Sequence, residues 1–149
     1  AGLLGSVIQR NCQIKAAVVE ADEREMGERA HLNFGHTIGH AIETLAAHQG
    51  LLHGEAVAIG MVGAGRIAVA MNLWDAQEES RLESLIEQLG LPIRIPAGLS
   101  TEDILDRMGH DKKVIGRTLR FVLPEALGRV VIRDDVPRNI LQEVIESLR

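Results

Sequence analysis

From Gly54 to Asn72 the chain is built on small residues, among them Ala56, Ala58, Gly60, Gly63, Ala64, Gly65 and Ala68, at a spacing that predicts one helix. Glycine costs about 1 kcal/mol relative to alanine inside a helix, and this segment contains four glycines. Such a helix is explained if its neighbours need the missing side chains, because small residues let backbones approach closely. The segment therefore predicts a buried central helix. It is not a membrane span, since no run of about 18 apolar residues exists and Arg66 interrupts the stretch from Ala56 to Met71.

The flanking segments predict further helices. Leu4, Val7, Ile8, Ile14, Ala17 and Val18 recur near helical spacing between Leu3 and Glu20, and the charged run from Asp22 to Gly27 breaks the pattern. A second helix is expected from about Asn33 to Ala47, ended by Gln49-Gly50. Asp75 is placed to cap a fourth, Ala76 to Leu89, with Gly90 behind it. After a loop with two prolines, Ser100 or Thr101 caps a short helix through Met108. Thr118–Leu123 and Gly128–Arg133 are β-like runs separated by Pro124–Leu127 and are expected to pair as a hairpin. Asp135 precedes a last amphipathic helix, Val136 to Leu148, with Pro137 in its first turn. The expected fold is mainly α, an orthogonal helical bundle with a small β-hairpin near the C-terminus, as a single domain over residues 1–149. Strand–helix alternation and a Gly-rich dinucleotide fingerprint are both absent from the sequence.

Composition removes several function classes. Sixteen Lys and Arg against 21 Asp and Glu leave a formal charge of −5, and Phe34, Trp74 and Phe121 are too scattered to stack bases, so no nucleic-acid partner is expected. The single cysteine, Cys12, excludes an internal disulfide framework and fits a reducing, cytoplasmic setting. It reads as a small core or helix-side residue. No secretory signal is visible. The chain opens on Ala1-Gly2 rather than Met, which raises the expectation of processing or of a piece of something longer.

The chemistry gathers around the histidines. His36 and His40 stand four apart on the second predicted helix, so their rings project from one face. Both follow glycine, which leaves room beside each ring. His53 lies 17 residues past His36, at the start of the central helix. Two antiparallel helices joined by a short loop bring that start back beside the first turns of the second helix. Imidazoles from facing helices commonly hold a divalent metal. Spacing makes His36, His40 and His53 candidate ligands with Glu55 in reserve, against the alternative of hydrogen-bonded surface or core histidines. His31, His48 and His110 read as ordinary exposed residues. Lys15, Arg29, Asn33 and the pair Lys112-Lys113 supply groups suited to phosphate or carboxylate, although a solvated pair also explains the two lysines. Glu25 reads either as a proton carrier or as part of an exposed acidic stretch.

Taken together, Leu32-Asn33-Phe34-Gly35-His36-Thr37-Ile38-Gly39-His40-Ala41-Ile42-Glu43 and Leu52-His53-Gly54-Glu55-Ala56-Val57-Ala58-Ile59-Gly60-Met61-Val62 closely resemble the 3-dehydroquinate synthase family. The likeness extends through Ile14–Val19, Asp22-Glu23, Asp111–Lys113 and Phe121–Pro124, nearly the whole chain. It implies the C-terminal helical domain of a phosphate-eliminating lyase of the shikimate pathway of aromatic amino-acid biosynthesis. That enzyme converts 3-deoxy-D-arabino-heptulosonate 7-phosphate into 3-dehydroquinate through transient carbinol oxidation, phosphate elimination, ketone reduction and an aldol ring closure. Zinc, or another divalent metal such as Co2+, stabilises the alkoxide, and NAD takes and returns the hydride.

The resemblance further implies His36 and His53 as metal ligands and His40 as a proton-transfer residue rather than a third ligand. Glu25 matches the family's other proton acceptor, and Lys15, Arg29, Asn33 and Lys113 match substrate-binding positions. The family's third metal ligand is an upstream glutamate, and its N-terminal nucleotide-binding domain also lies outside this sequence. A chain cut from the complete enzyme is therefore expected, with weak zinc binding and no turnover alone. Expected partners are a phosphorylated sugar acid, that N-terminal domain and further copies in a homo-oligomer. The alternatives are another sugar-phosphate cyclase, a metal-dependent polyol dehydrogenase relative, and a noncatalytic helical module.

Overall fold

The computed structural model describes residues 2–22, 28–115 and 119–149. Among the described residues the fold is mainly α, with six α-helices and one antiparallel hairpin near the C-terminus, as the sequence leads one to expect. The chain divides into two compact units, Ala1–Asn33 and Phe34–Arg149.

The first unit contains α1 (Gly2–Ala21) and a 3-10 turn, Glu28–Asn33. None of the α1 residues is buried, and Leu3, Leu4, Val7, Ile8 and Ile14 are exposed on it. Cys12 is a free, exposed residue on this helix, which corresponds to the helix-side reading. Where a continuous second helix was expected from Asn33, the 3-10 turn ends and a new helix begins three residues later. Gly35 makes the break: its φ of 81° lies in the left-handed region that disfavours side chains.

The second unit is organised around α3 (His53–Ala70), which packs against α2 (His36–Leu45), α4 (Ala76–Gln88), the hairpin and α6 (Arg138–Ser147). Ten of its residues are buried, from Ala56 through Ala68, so it is the central helix its composition predicts. The glycines do different jobs along it. A Cβ on Gly60 would stand 1.9 Å from the Gly35 carbonyl oxygen, so α2 and α3 meet there backbone to backbone. Gly63 instead receives Ile38 and Leu148, and Gly65 receives the Trp74 ring. Ile38, Ile42, Ile59, Ile67, Ile104, Leu123, Ile145 and Leu148 fill the core between these elements.

The helix ends follow side-chain chemistry. Asp75 Oδ1 accepts from the Gln77 N–H at 2.7 Å and starts α4. Ser100 Oγ accepts from the Asp103 N–H at 3.0 Å and starts α5 (Thr101–Ile115), so Ser100 rather than Thr101 is the cap. Contrary to the expected stop at Met108, α5 continues through Gly109, which has no neighbour within 4 Å of a built Cβ and costs only propensity. The strands are β1 (Phe121–Ala126) and β2 (Arg129–Arg133), with Phe121 opposite Arg133. Pro124, expected to end β1, stays within it opposite Val130, and the register shifts between Pro124 and Ala126. A two-stranded ribbon leaves outward edges on which a missing N–H is tolerated. Pro137 precedes α6 as its N-cap instead of lying in the first turn. Among the described residues no helix is long and apolar enough to cross a membrane.

Arg66 fastens the far side of α3. Its guanidinium donates to Glu83 Oε2 and to the Ser147 carbonyl, both at 2.8 Å, tying α4 and the C-terminal end of α6 to the central helix. Positive charge at that helix end also meets the negative end of the dipole. Glu79 shares Arg66 but lies among buried groups. Burial, followed by the neighbouring Glu83 charge, holds its carboxyl above the ordinary 4.5, with Arg66 opposing them.

Two predictions follow from this packing. Gly60→Ala forces a methyl group against the Gly35 carbonyl, and overpacking of this kind costs about 1–3 kcal/mol or more; Gly54→Ala, in open space on the same helix, leaves stability unchanged or raises it by up to about 1 kcal/mol. Urea denaturation of both variants checks the contrast. For Glu79, a folded-state pKa above the unfolded one means its contribution is most favourable below pH 4.5 and is lost as pH rises through the folded value. Glu79→Gln should therefore raise the melting temperature at pH 7, and that advantage should disappear near pH 4.

Candidate metal centre

The close approach of α2 to α3 decides which side chains meet. Built Cβ atoms on Gly35 and Gly39 would fall 2.7 Å from the Val57 carbonyl oxygen and 3.0 Å from that of Ala56. These glycines therefore make room for the α3 backbone, not for the histidine rings beside them, as the sequence alone suggested. With the backbones in contact, the first turns of α2 and the first residue of α3 lie side by side.

His36 opens α2, His40 follows one turn later, and His53 opens α3. Their ring centroids are 5.2 Å (His36–His40), 5.5 Å (His36–His53) and 5.6 Å (His40–His53) apart. One ring nitrogen from each lies within 4.8 Å of the others. The His36 ring is half-buried, and the other two are exposed.

Two of the rings are oriented from behind. His36 Nδ1 stands 3.2 Å from the Phe34 carbonyl oxygen, and His53 Nδ1 stands 3.0 Å from Glu43 Oε2. A carbonyl oxygen and an ionised carboxylate can only accept, so each contact calls for the proton on Nδ1 and leaves Nε2 with its lone pair. Neutral imidazoles held in this way suit zinc and other first-row divalent ions. Zinc–nitrogen bonds of about 2.0–2.1 Å bring tetrahedral ligand atoms to about 3.4 Å from each other. Ring nitrogens already within 4.8 Å of one another stand close to that spacing. The donor set therefore fits a divalent metal.

Glu55, held in reserve as a ligand, is used otherwise. Its Oε2 accepts from the Leu52 N–H at 2.8 Å, which closes the first turn of α3. Glu43 was not singled out by sequence reasoning, although it follows His40 by three residues and His36 by seven on the same helix. That spacing was the available signal.

The remaining site candidates divide as follows. Lys15 is exposed on α1, and Asn33 is exposed at the end of the 3-10 turn. Arg29 is half-buried, and its backbone N–H donates to Asp22 Oδ2 at 3.1 Å. All three belong to the first compact unit. Glu25 lies outside the described residues. Lys113 and Lys112 fall within the backbone span of α5, and their side chains lie outside the description. Of the histidines read as ordinary, His48 is exposed and His31 is half-buried.

Comparison with known proteins gives these residues a context. The family model for the 3-dehydroquinate synthase C-terminal region matches residues 2–114. The chain is 50% identical over 148 residues to the 3-dehydroquinate synthase of a Synechococcus species, covering 99% of this chain and 40% of that protein. Against the 3-dehydroquinate synthase of Desulforamulus reducens it is 51% identical over 144 residues, covering 97% and 40%. The chain thus spans about two-fifths of the length of these relatives. Among solved structures, a 2-deoxy-scyllo-inosose synthase complexed with carbaglucose-6-phosphate, NAD+ and Co2+ is similar with a TM-score of 0.77 and 31% identity, over 91% of this chain and 39% of that one. The fold is also that of ValA, a 2-epi-5-epi-valiolone synthase from Streptomyces hygroscopicus with NAD+ and Zn2+ bound (TM-score 0.86, 24% identity, 99% and 41% covered). On the extent of the family match and the identity to these synthases, this chain belongs to the 3-dehydroquinate synthase C-terminal family.

Proposed function

We propose that the chain is the metal-binding, helical portion of a 3-dehydroquinate synthase, a lyase of the shikimate pathway. In this reading the complete enzyme converts 3-deoxy-D-arabino-heptulosonate 7-phosphate into 3-dehydroquinate with loss of phosphate, in the cytoplasm. The observation that carries the reading is the convergence of His36, His40 and His53 at 5.2–5.6 Å, on the motif residues through which the chain resembles that family.

His36 and His53 are assigned as ligands of a zinc or cobalt ion, and their oriented Nδ1 edges support that assignment. When bound, the metal supplies charge stabilisation at a carbinol oxygen and NAD supplies hydride transfer. His40 and Glu25 are assigned to move protons to and from the substrate, a task that imidazole and carboxylate side chains commonly perform. Lys15, Arg29, Asn33 and Lys113 are assigned to bind the phosphate and carboxylate groups of the anionic substrate. Lysine does so as a point charge, and arginine as a planar fork. The NAD site and the third metal ligand are assigned to an N-terminal nucleotide-binding domain, a portion the relatives' greater length can accommodate. The enzyme is proposed to work as a homo-oligomer, and these 149 residues alone are proposed to turn nothing over.

The similarity to 2-deoxy-scyllo-inosose synthase supports a second reading, another sugar-phosphate cyclase with the same metal centre. The stronger identity to 3-dehydroquinate synthases, 50–51%, favours the first. Turnover of the complete enzyme with each phosphorylated substrate separates the two.

Substitutions distinguish ligand from proton carrier. In the complete enzyme, His36→Ala and His53→Ala should each reduce bound zinc to a small fraction of the wild-type content by elemental analysis. His40→Ala should keep most of the metal and lower kcat by about 100-fold or more, the scale of lost general acid–base catalysis. A His40→Ala protein purified without metal would place His40 among the ligands.

A further inference from the structure

We propose that Glu43 is the positioning residue of the metal centre. Its carboxylate holds His53 as the Nδ1–H tautomer and aims the Nε2 lone pair toward His36 and His40. The proposal rests on the metal-binding reading above.

The argument begins with the helix. His36, His40 and Glu43 occupy positions i, i+4 and i+7 of α2, so one face presents two imidazoles and a carboxylate in succession. His53, arriving as the first residue of α3, meets this face from the side, and its Nδ1 comes to 3.0 Å from Glu43 Oε2. A histidine ring with no partner at Nδ1 prefers its proton on Nε2 in water. That tautomer would direct an N–H at the shared centre, where a lone pair is required. An ionised carboxylate at Nδ1 reverses the preference because it accepts only.

His36 needs no such side chain, since the Phe34 carbonyl performs the same task from the backbone. The two ligands are thus oriented by unlike means, one fixed by the fold and one removable by substitution. His53 is the more exposed case, with 55% of its side chain accessible, so packing does little to hold the ring. Partners of this kind behind a metal-bound histidine set both tautomer and ring angle, and losing one costs about 10–100-fold in metal affinity.

The test uses the full 149-residue chain, 15N-labelled at histidine, as wild type, Glu43→Gln and Glu43→Ala. Long-range 1H–15N correlation spectra of the metal-free protein, at a pH where the imidazoles are neutral, identify the His53 tautomer. Zinc titration of the complete enzyme carrying the same substitutions then gives the affinities, and far-UV circular dichroism checks that each variant is folded. The wild type should show Nδ1–H at His53, and Glu43→Ala should shift it to Nε2–H and weaken zinc binding by about 10–100-fold. Glu43→Gln, whose amide oxygen can still accept, should fall between. Retention of Nδ1–H in a folded Glu43→Ala chain, or zinc affinity within about twofold of the wild type, overturns the proposal. A complete wild-type enzyme that binds no zinc, while His53 still changes tautomer with Glu43, overturns the metal reading and upholds the coupling between the two side chains.

Discussion

The approach of α2 to α3 is limited by main-chain atoms, because Gly35, Gly39 and Gly60 place no Cβ between the two helices. A methyl group at Gly60 would overlap the Gly35 carbonyl, and side chains at Gly35 or Gly39 would meet the carbonyls of Val57 and Ala56. This contact sets the separation of the helices and thereby the separation of whatever their first turns carry. Those turns carry His36, His40 and His53. The energetic cost of glycine within α3 is offset by a core in which Ile38, Ile42, Ile59 and Ile67 are almost wholly buried, and the geometric result is a centre held between rigid elements rather than loops.

The chemistry of the centre then follows from what stands behind each ring. His36 is turned by a main-chain carbonyl that Gly35 helps to place, and His53 by a side chain one helix away. Glu55, the other carboxylate nearby, is occupied in capping α3. The same local sequence, His53-Gly54-Glu55, thus supplies a metal-directed group and the start of the helix that carries it. On the opposite side, Arg66 gathers Glu83 and the end of α6. That cluster fixes α3 among its neighbours, and it lies apart from the proposed chemistry.

Much of this was legible in the amino-acid order, and the misses have physical causes. Helical spacing, the small-residue run of α3, the cap before α5 and the two β-like runs located the helices and the hairpin of the described residues, because each of these signals lies within its own segment. Asp75 was readable as a cap since its function is local. The end of α5 was not, because Gly109 faces open space and a tolerated glycine looks the same in sequence as a terminating one. Pro124 misled in a similar way, since its effect depends on whether its edge is paired. At the site, the i, i+4 pair and the returning His53 were predictable from helix geometry and a short connection. What sequence could not assign was the use of Gly35 and Gly39, whose neighbours Ala56 and Val57 come from another helix. Glu43 escaped for the same reason, its partner being His53 across the interface.

The central claim is that the glycine-mediated helix contact delivers His36 and His53 to one cation. Anomalous diffraction at the zinc absorption edge, from crystals of the zinc-loaded protein, tests it most directly. The account predicts a single strong peak between the two helix starts, about 2.0–2.1 Å from Nε2 of both His36 and His53. A peak bound elsewhere, or one held through Nδ1 with the Glu43 and Phe34 contacts broken, would contradict it.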